Sequence, residues 1–487
     1  MTLGYEFGLD RAMSISKSKD GIYWISDFSG SGIVKYDPRS IINITKSDKF
    51  PDARTIEMMV DKNNNLWVAT EGEGLVQIVN ESINNIITIK DGLRSNMILD
   101  IDIDQYDNIW LATPSGLSKY DGRKITNYTT KDGLPTDYID AIFIDDNGIK
   151  WLITQKGLVR FNGVDVEVFN EKHGLFVNRD VVNQSAVRAM YIEGGVDNKL
   201  VLGFHNIGIS VFNGRDFINY DIDDGLVDLR IRGVDFDSDG NIWVGTEGSG
   251  VFMFDGQTFK RFTTKDGLTN DEIFHLFVDD FDKVWVGTWG GGVGFYDGEV
   301  WGSLDSRDGL IGNTISALTS SGGNTYYFAG QSVSNGISKY MPSKTSGITQ
   351  IKNVITSTKK YIYNDDMATP NSITGNRISF TVSASNYNTH KDKQQFRYRI
   401  KEIDKVWSAT TTNPVFEWVP NKAGNFHFEV QSVDRDLNYS APVNVPFRIK
   451  YPWYKESSTA IPFWGFILLI IGFAGYSTKK YSNQRSY

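Results

Sequence analysis

The chain has 487 residues, with no Cys, 12 Trp, 23 Tyr, 29 Phe and 47 Gly, a length that allows two or three domains with sizeable cores. Its net charge of −9 offers no basic footprint for nucleic acid, and the lack of Cys excludes a disulfide framework and a thiolate-held metal without fixing a compartment. Many aromatics and glycines beside only 12 Pro suit short strands and tight turns.

The first 20 residues, MTLGYEFGLDRAMSISKSKD, hold no apolar run of signal-peptide length. Gly8-Leu9 already resembles a landmark of the repeats that follow, so the chain is expected to begin at, or inside, a repeat. From there to about residue 342 one pattern recurs. Its clearest copy is NIWVGTEGSGVFMFDG, Asn241–Gly256, two short apolar strands around a glycine-bearing turn. Trp24, Trp67, Trp110, Trp151, Val201, Trp243, Trp285 and Tyr327 hold the equivalent aromatic or apolar position, spaced 43, 43, 41, 50, 42, 42 and 42 residues apart. About 40–45 residues is the span of one four-stranded propeller blade. In the sixth repeat the four strands are expected at Leu229–Phe236, Ile242–Thr246, Val251–Phe254 and Thr258–Thr263. A Lys-Asp-Gly-Leu link, as in Lys90–Leu93, Lys131–Leu134 and Lys265–Leu268, then leads to the next blade. Eight repeats can close as an eight-bladed ring, the reading favoured here; alternatively seven close and Leu9–Asp48 is left from a preceding propeller.

The unit DGL–x2–N–x–I, then D–x2–G–x–IW–[VL]–[GA]–T, then GL–x2–[FY]–DG resembles the two-component regulator propeller repeat over roughly 330 residues. Residues 375–450 then alternate apolar and polar positions, as in Arg377–Ala384 and Phe426–Val430, and read as a small immunoglobulin-like β-sandwich. This block is similar to the triple-tyrosine domain that follows such propellers in membrane sensors. The matching residues are Phe396, Tyr398, Trp407, Gly424, Phe426, Phe428 and Tyr451-Pro452-Trp453-Tyr454, with Phe426 where that family usually has Tyr.

Thr459–Tyr476, TAIPFWGFILLIIGFAGY, is uncharged and as a helix spans ~27 Å. Pro462 is expected in its first turn, and Trp464 and Tyr476 suit interfacial belts. Lys479, Lys480 and Arg485 follow, which argues for a cytoplasmic C-terminus. The fold class is thus all-β with one transmembrane helix. The expected domains are a propeller over 1–345, a sandwich over 346–455, a span over 459–477 and a short cytoplasmic tail over 478–487. Residues 478–487 leave no room for a kinase or a DNA-binding domain.

Asp235-Phe-Asp237-Ser-Asp239-Gly240 imitates the opening of a calcium loop, but Thr246 stands where the bidentate acid is needed, so a solvated turn with side-chain-to-backbone bonds is the better reading. The five His residues, at 173, 205, 275, 390 and 427, are not spaced as metal pairs, and no nucleophile turn accompanies them. The sequence therefore implies no cofactor and no catalytic constellation. In a propeller the second-to-third strand turns and the interblade links share one face, the mouth of the channel. Side chains that deviate there are free for a ligand: Trp289, Arg230, Arg179, Tyr138, His205 and Glu247 are the candidates. Trp289 offers a face for a sugar to stack on, or else lies over a neighbouring blade. Each Arg reads an acidic or hydroxyl-rich ligand, or else pairs with an interblade Asp. Asn96, Asp137, Asn178, Asp271 and Asn313 repeat at one position, as expected of residues that bond the backbone of their own turn.

The resemblance implies a periplasmic ligand-binding module of a single-pass membrane sensor in a two-component system. Its expected ligand is an oligosaccharide or other small molecule. A homodimer, and a kinase or response-regulator part downstream or on another chain, complete the expectation. A propeller enzyme of lyase or glycosidase type, and a protein-binding propeller, are the competing classes.

Overall fold

The computed structural model describes residues 12–19, 22–27, 33–36, 40–176, 189–195, 199–331, 336–363, 368–386 and 389–484. The chain divides into two units, one made of Met1–Lys344 with Arg435–Leu437, the other of Thr345–Asp434 with Asn438–Tyr487.

In the first unit the repeats fold into seven four-stranded antiparallel blades. Blades 1 to 6 begin with the inner strands Thr55–Val60, Asp100–Ile103, Ile139–Ile144, Ala189–Gly194, Ile231–Phe236 and Ile273–Val278, and each takes its four strands in chain order. Blade 7 does not. Its strands Ile315–Ser320, Tyr326–Gly330 and Gly336–Tyr340 are completed by Ile41–Thr45, with Tyr340 opposite Ile41 and Gly336 opposite Thr45. The inner strand of blade 7 then meets that of blade 1, where Ser316 Oγ donates to the Thr55 carbonyl at 3.3 Å. A shared apolar seam of Ile44, Met58, Leu66, Ala317 and Tyr327 closes the ring. Seven blades therefore replace the favoured eight. The first repeat is split: its fourth strand closes the ring, while Ala12–Lys17, Tyr23–Asp27 and Ile33–Tyr36 pair in a separate three-stranded sheet.

The repeated aromatic is a seam residue. Trp67, Trp110, Trp151, Val201, Trp243, Trp285 and Tyr327 are all buried, between 0% and 8% exposed. In blades 1, 2, 3, 5 and 6 its indole N–H donates to an Asp six residues earlier, for instance Trp110 to Asp104 at 2.9 Å and Trp285 to Asp279 at 2.8 Å. The other oxygen of that Asp accepts backbone N–H groups of its own turn, as Asp237 does from Asn241 at 2.8 Å. The calcium-loop imitation is thus a turn whose central carboxylate braces a tryptophan.

The Gly-Leu links form single 3-10 turns. Thr88, Thr129 and Thr263 cap them, Asp91, Asp132 and Asp266 return the bond to the cap backbone, and a left-handed glycine ends each one. Asn96, Asp137, Asp271 and Asn313 accept N–H groups of these turns at 2.7–2.8 Å, which is why they repeat. Asn178 lies outside the described residues.

In the second unit two four-stranded sheets enclose a core that includes Phe380, Phe428, Val430 and Phe447. Phe380 and Phe428 stack at 4.0 Å. Phe426, where tyrosine is usual, is 8% exposed and packs on Trp418 and Phe447, so the missing hydroxyl leaves no buried polar group behind. Asn371–Ile373 runs parallel to Val443–Lys450, a pairing that strand alternation alone does not reveal.

One helix, Ser457–Gln484, ends the described chain. Its segment Ser458–Ser482 includes an 18-residue stretch of mean hydropathy 1.8 that is almost wholly exposed, and it is long and apolar enough to cross a membrane. The helix starts two residues earlier than the uncharged run. Pro462 therefore falls in the second turn, where its ring nitrogen cannot donate to the carbonyl four residues back.

Candidate functional site

At one end of the first unit a belt of backbone bonds runs round the mouth. In blades 1, 5, 6 and 7 the residue after the second strand donates to the residue that leads into the inner strand: Glu71 to Arg54, Glu247 to Arg230, Trp289 to Glu272 and Gln331 to Thr314, all at 2.9–3.0 Å. The same residues bridge onward to the next blade, as Glu71 to Met97, His205 to Arg230 and Glu247 to Glu272. These bonds hold the side chains at those positions of the mouth at a fixed spacing.

Just inside the belt the inner strands carry a bulge, which places Arg232 in blade 5 and Phe274 in blade 6 out of the alternating register. A bulge re-aims the side chain it carries. Phe274 stacks beneath Trp289 of its own blade, 5.1 Å between centroids and 23° between planes, while Trp289 stays 52% exposed. The Arg232 guanidinium lies 5.8 Å from the Phe274 ring centroid and donates twice to Glu247 Oε2. His205 Nε2 is 3.5 Å from the same Glu247 oxygen, and its Nδ1 meets Asn206 at 2.8 Å. Burial works to raise the Glu247 pKa, but Arg232, His205 and Arg230 outweigh it and hold the pKa lowered.

Trp289, Glu247 and His205 are thus joined in one cluster through Phe274 and Arg232. Arg230 stands on the same belt, with its guanidinium tied to Asp228 by two bonds of 3.1 Å. That is the pairing its alternative reading anticipates, although the Asp is two residues away and belongs to the same link. Tyr138 holds the equivalent position at the entry to blade 3, half-buried. Arg179 lies outside the described residues. Arg232 and Phe274 escape a reading by alternation because the bulge shifts them by one. Arg54 holds the same register as Tyr138 and Arg230, at the entry to blade 1.

Deeper in, the inner strands carry acids. Asp100, Asp102 and Asp235 each accept an N–H from the neighbouring blade: Ile142 at 2.8 Å, Ile144 at 2.6 Å and Val278 at 2.6 Å. Burial pushes the Asp102 and Asp235 carboxyls up to about 7. Burial, then the charges of Asp235, Asp102, Asp100 and Glu57, raises Glu193 well above the carboxylate range. His275 Nε2 meets Glu57 Oε2 at 2.8 Å, joining blade 6 to blade 1 past the small Ala317 that holds the same register in blade 7. Among the described residues no group of three His, Cys, Asp or Glu is placed to hold a metal ion.

A cavity of about 390 Å³ opens at the other end of the seam between blades 7 and 1, lined in part by Tyr327, Lys339, Glu81 and Asn64. It lies at the first-to-second strand turns, away from the mouth. Tyr327 and Ser321 stand there in place of the Trp and Asp that brace most other seams, and the smaller pair leaves the space.

Residues 225–248 match the Two component regulator propeller, and residues 388–450 match the Y_Y_Y domain. The chain carries a regulator-propeller repeat within blade 5 and a Y_Y_Y domain in the second unit. The regulator-propeller match runs from the link before blade 5 to the turn after its second strand, the stretch that holds Arg230, Arg232 and Glu247. Among solved structures, an extracellular domain described as that of a hybrid two component system, BT3049 from B. thetaiotaomicron, is similar over 90% of this chain and 61% of its own length. The identity is 18% and the TM-score 0.56, a likeness of fold. The chain therefore spans 61% of the length of that domain. The extracellular domain of BT4673 from the same organism covers 92% of this chain and 81% of its own, at 17% identity and a TM-score of 0.34. Virginiamycin B lyase from Staphylococcus aureus covers 61% of this chain and 98% of its own, at 13% identity and a TM-score of 0.49. None of the curated proteins matches the chain.

Proposed function

We propose that this chain is the ligand-binding sensor part of a membrane-anchored two-component signalling protein. The propeller takes up an oligosaccharide outside the cytoplasm, and the Y_Y_Y sandwich and the single span relay its presence to a cytoplasmic C-terminus. A kinase or response-regulator part, downstream or on another chain, answers the signal, and a homodimer is the working unit. The observation that carries the reading is the order of parts in one chain: regulator-propeller repeat, Y_Y_Y domain, apolar helix. The mouth supports binding rather than catalysis. Arg230 and Arg232 are neutralised by Asp228 and Glu247, while the indole of Trp289 is left exposed and stiffened from beneath by Phe274.

The test is calorimetric titration of the full chain in detergent micelles against a panel of neutral and acidic oligosaccharides. Trp289→Ala is expected to weaken the best ligand five- to a hundredfold, the loss of one stacked aromatic contact of ~1–3 kcal/mol. Asp239→Ala, at the opposite end of blade 5, leaves affinity unchanged. A panel without any binder, or a binder indifferent to Trp289→Ala, sinks the reading.

A further inference from the structure

We infer that the arc of the mouth formed by blades 6, 7 and 1 is a subsite for the carboxylate of a hexuronate unit, with Arg54 as its anion-binding group; this rests on the oligosaccharide reading above. Three buried side-chain atoms without a hydrogen-bond partner gather on this arc: Arg54 Nε in blade 1, Gln331 Oε1 in blade 7 and His275 Nδ1 in blade 6. Buried polar atoms are almost always partnered, so such a group in one arc marks a place where something else supplies the partners.

Adjacency follows from the belt. Gln331 holds in blade 7 the position that Glu71 and Glu247 hold in theirs, and each of those bridges to the entry residue of the following blade. The residue that follows blade 7 in that register is Arg54. Ser316 Oγ of blade 7 bonds the carbonyl of Thr55, next to Arg54, and the His275–Glu57 contact of 2.8 Å draws blade 6 to blade 1 beneath them. Trp289 lies on the blade 6 side of the same arc.

The charges single out Arg54. Arg230 is tied to Asp228, and Arg232 to Glu247. Arg54 is half-buried, its Nε has no hydrogen-bond partner, and its charge is felt by the buried Tyr191 hydroxyl of blade 4 without an ion pair. Nearby acids do not answer it. Glu57 is engaged by His275, whereas Glu71 and Glu73 are exposed, where water screens them.

A guanidinium presents paired N–H groups that fit a carboxylate. The free carbonyl oxygen of Gln331 accepts from a hydroxyl, and the Trp289 face stacks on the C–H face of a pyranose ring. A hexuronate offers all three features. A neutral hexose leaves Arg54 unanswered, and an inorganic anion leaves Trp289 unused.

The experiment titrates the full chain in micelles with trigalacturonate and triglucuronate, and with the methyl ester of each. At least one acid is expected to bind tenfold or more tightly than its ester. Arg54→Met should abolish that preference by weakening the acid alone, while Trp289→Ala weakens acid and ester together. Arg54→Lys, which keeps the charge but not the paired geometry, should fall between and covers the case in which the Met variant does not fold. Esters that bind as tightly as acids, or a preference that survives Arg54→Met, overturn the subsite. Binding of neutral sugars that responds to Trp289→Ala without any acid preference overturns the subsite alone. Absence of binding by any saccharide, acidic or neutral, overturns the oligosaccharide reading with it.

Discussion

Replacing Asp279 by Ala tests the idea that the seam carboxylates, and not only the apolar contacts, hold neighbouring blades together. Asp279 is 7% exposed, and its Oδ2 accepts two buried donors, Trp285 Nε1 of blade 6 and the Tyr326 hydroxyl of blade 7, each at 2.8 Å. Both donors are 1% exposed, and their rings lie 4.0 Å apart. The Oδ1 atom accepts the N–H groups of Phe281 and Lys283 and shapes the turn. A hydrogen bond to a charged group contributes ~1.5–3 kcal/mol, and a buried donor left alone costs a similar amount. Two such bonds across one seam put the Asp279→Ala loss on the order of 3–5 kcal/mol, a large part of the margin of a typical domain. Urea unfolding followed by tryptophan fluorescence reads it. Tyr326→Phe in the same background isolates the interblade bond, because with the hydroxyl gone the missing carboxylate strands one donor fewer. The double variant should be more stable than the two single losses added together, by ~1–3 kcal/mol. A coupling within about 0.5 kcal/mol of zero refutes the brace and leaves the seam to packing alone.

Other outcomes are equally specific. Asp102 and Asp235 have folded pKa values raised to about 7 from 3.8, so their contribution to stability is full below about pH 4 and is lost as pH rises through 7. Burial lowers the His275 pKa, but Glu57 more than offsets this and leaves it raised, so its contribution is likewise lost with rising pH. The propeller should therefore unfold at lower urea at pH 8 than at pH 5.5, and Asp102→Asn with Asp235→Asn should flatten that slope; equal midpoints at the two pH values would contradict the burial of these acids. Gly250→Ala should destabilise blade 5 by more than 1 kcal/mol, since its φ is +79° and an added Cβ would meet the Phe262 carbonyl oxygen at 2.2 Å; an unchanged midpoint would refute the close approach. Removal of residues 458–482 should move the protein from the carbonate-resistant membrane fraction to the soluble one, and retention in membranes would show that another part anchors it.

The blades were legible because each needs its own apolar seam, and the period of Trp67, Trp110, Trp243 and Trp285 prints that need on the chain. Ring closure was not legible. Ile41–Thr45 has the pattern of any fourth strand, and nothing local distinguishes pairing with Ile33–Tyr36 from pairing with Gly336–Tyr340. At the mouth, position in the repeat located Trp289, Glu247 and His205, because a side chain that departs from its equivalents is visible in one dimension. Arg232 and Phe274 were hidden by a bulge, which breaks the two-residue alternation on which strand reading depends. The His275–Glu57 contact joins residues 218 apart, and only the curvature of the ring brings them together.

The completion of blade 7 by Ile41–Thr45 also bears on how the molecule is made. Asn43 and Ser338, which bond across that pair, are 295 residues apart in the chain. Loop entropy grows only as the logarithm of length, so the equilibrium cost of so wide a closure is modest, but contacts this distant form late and slowly. Six blades can zip in sequence as the polypeptide emerges, while Ile41–Thr45, made first, waits for the last propeller strand. Until the two meet, Gly336–Tyr340 presents an unpaired edge, able to accept a strand from any other molecule in the same condition. Domain-swapped or aggregated by-products of expression should therefore be joined through blade 7, and a synthetic peptide with the sequence Ile41–Thr45 should suppress them by occupying that edge.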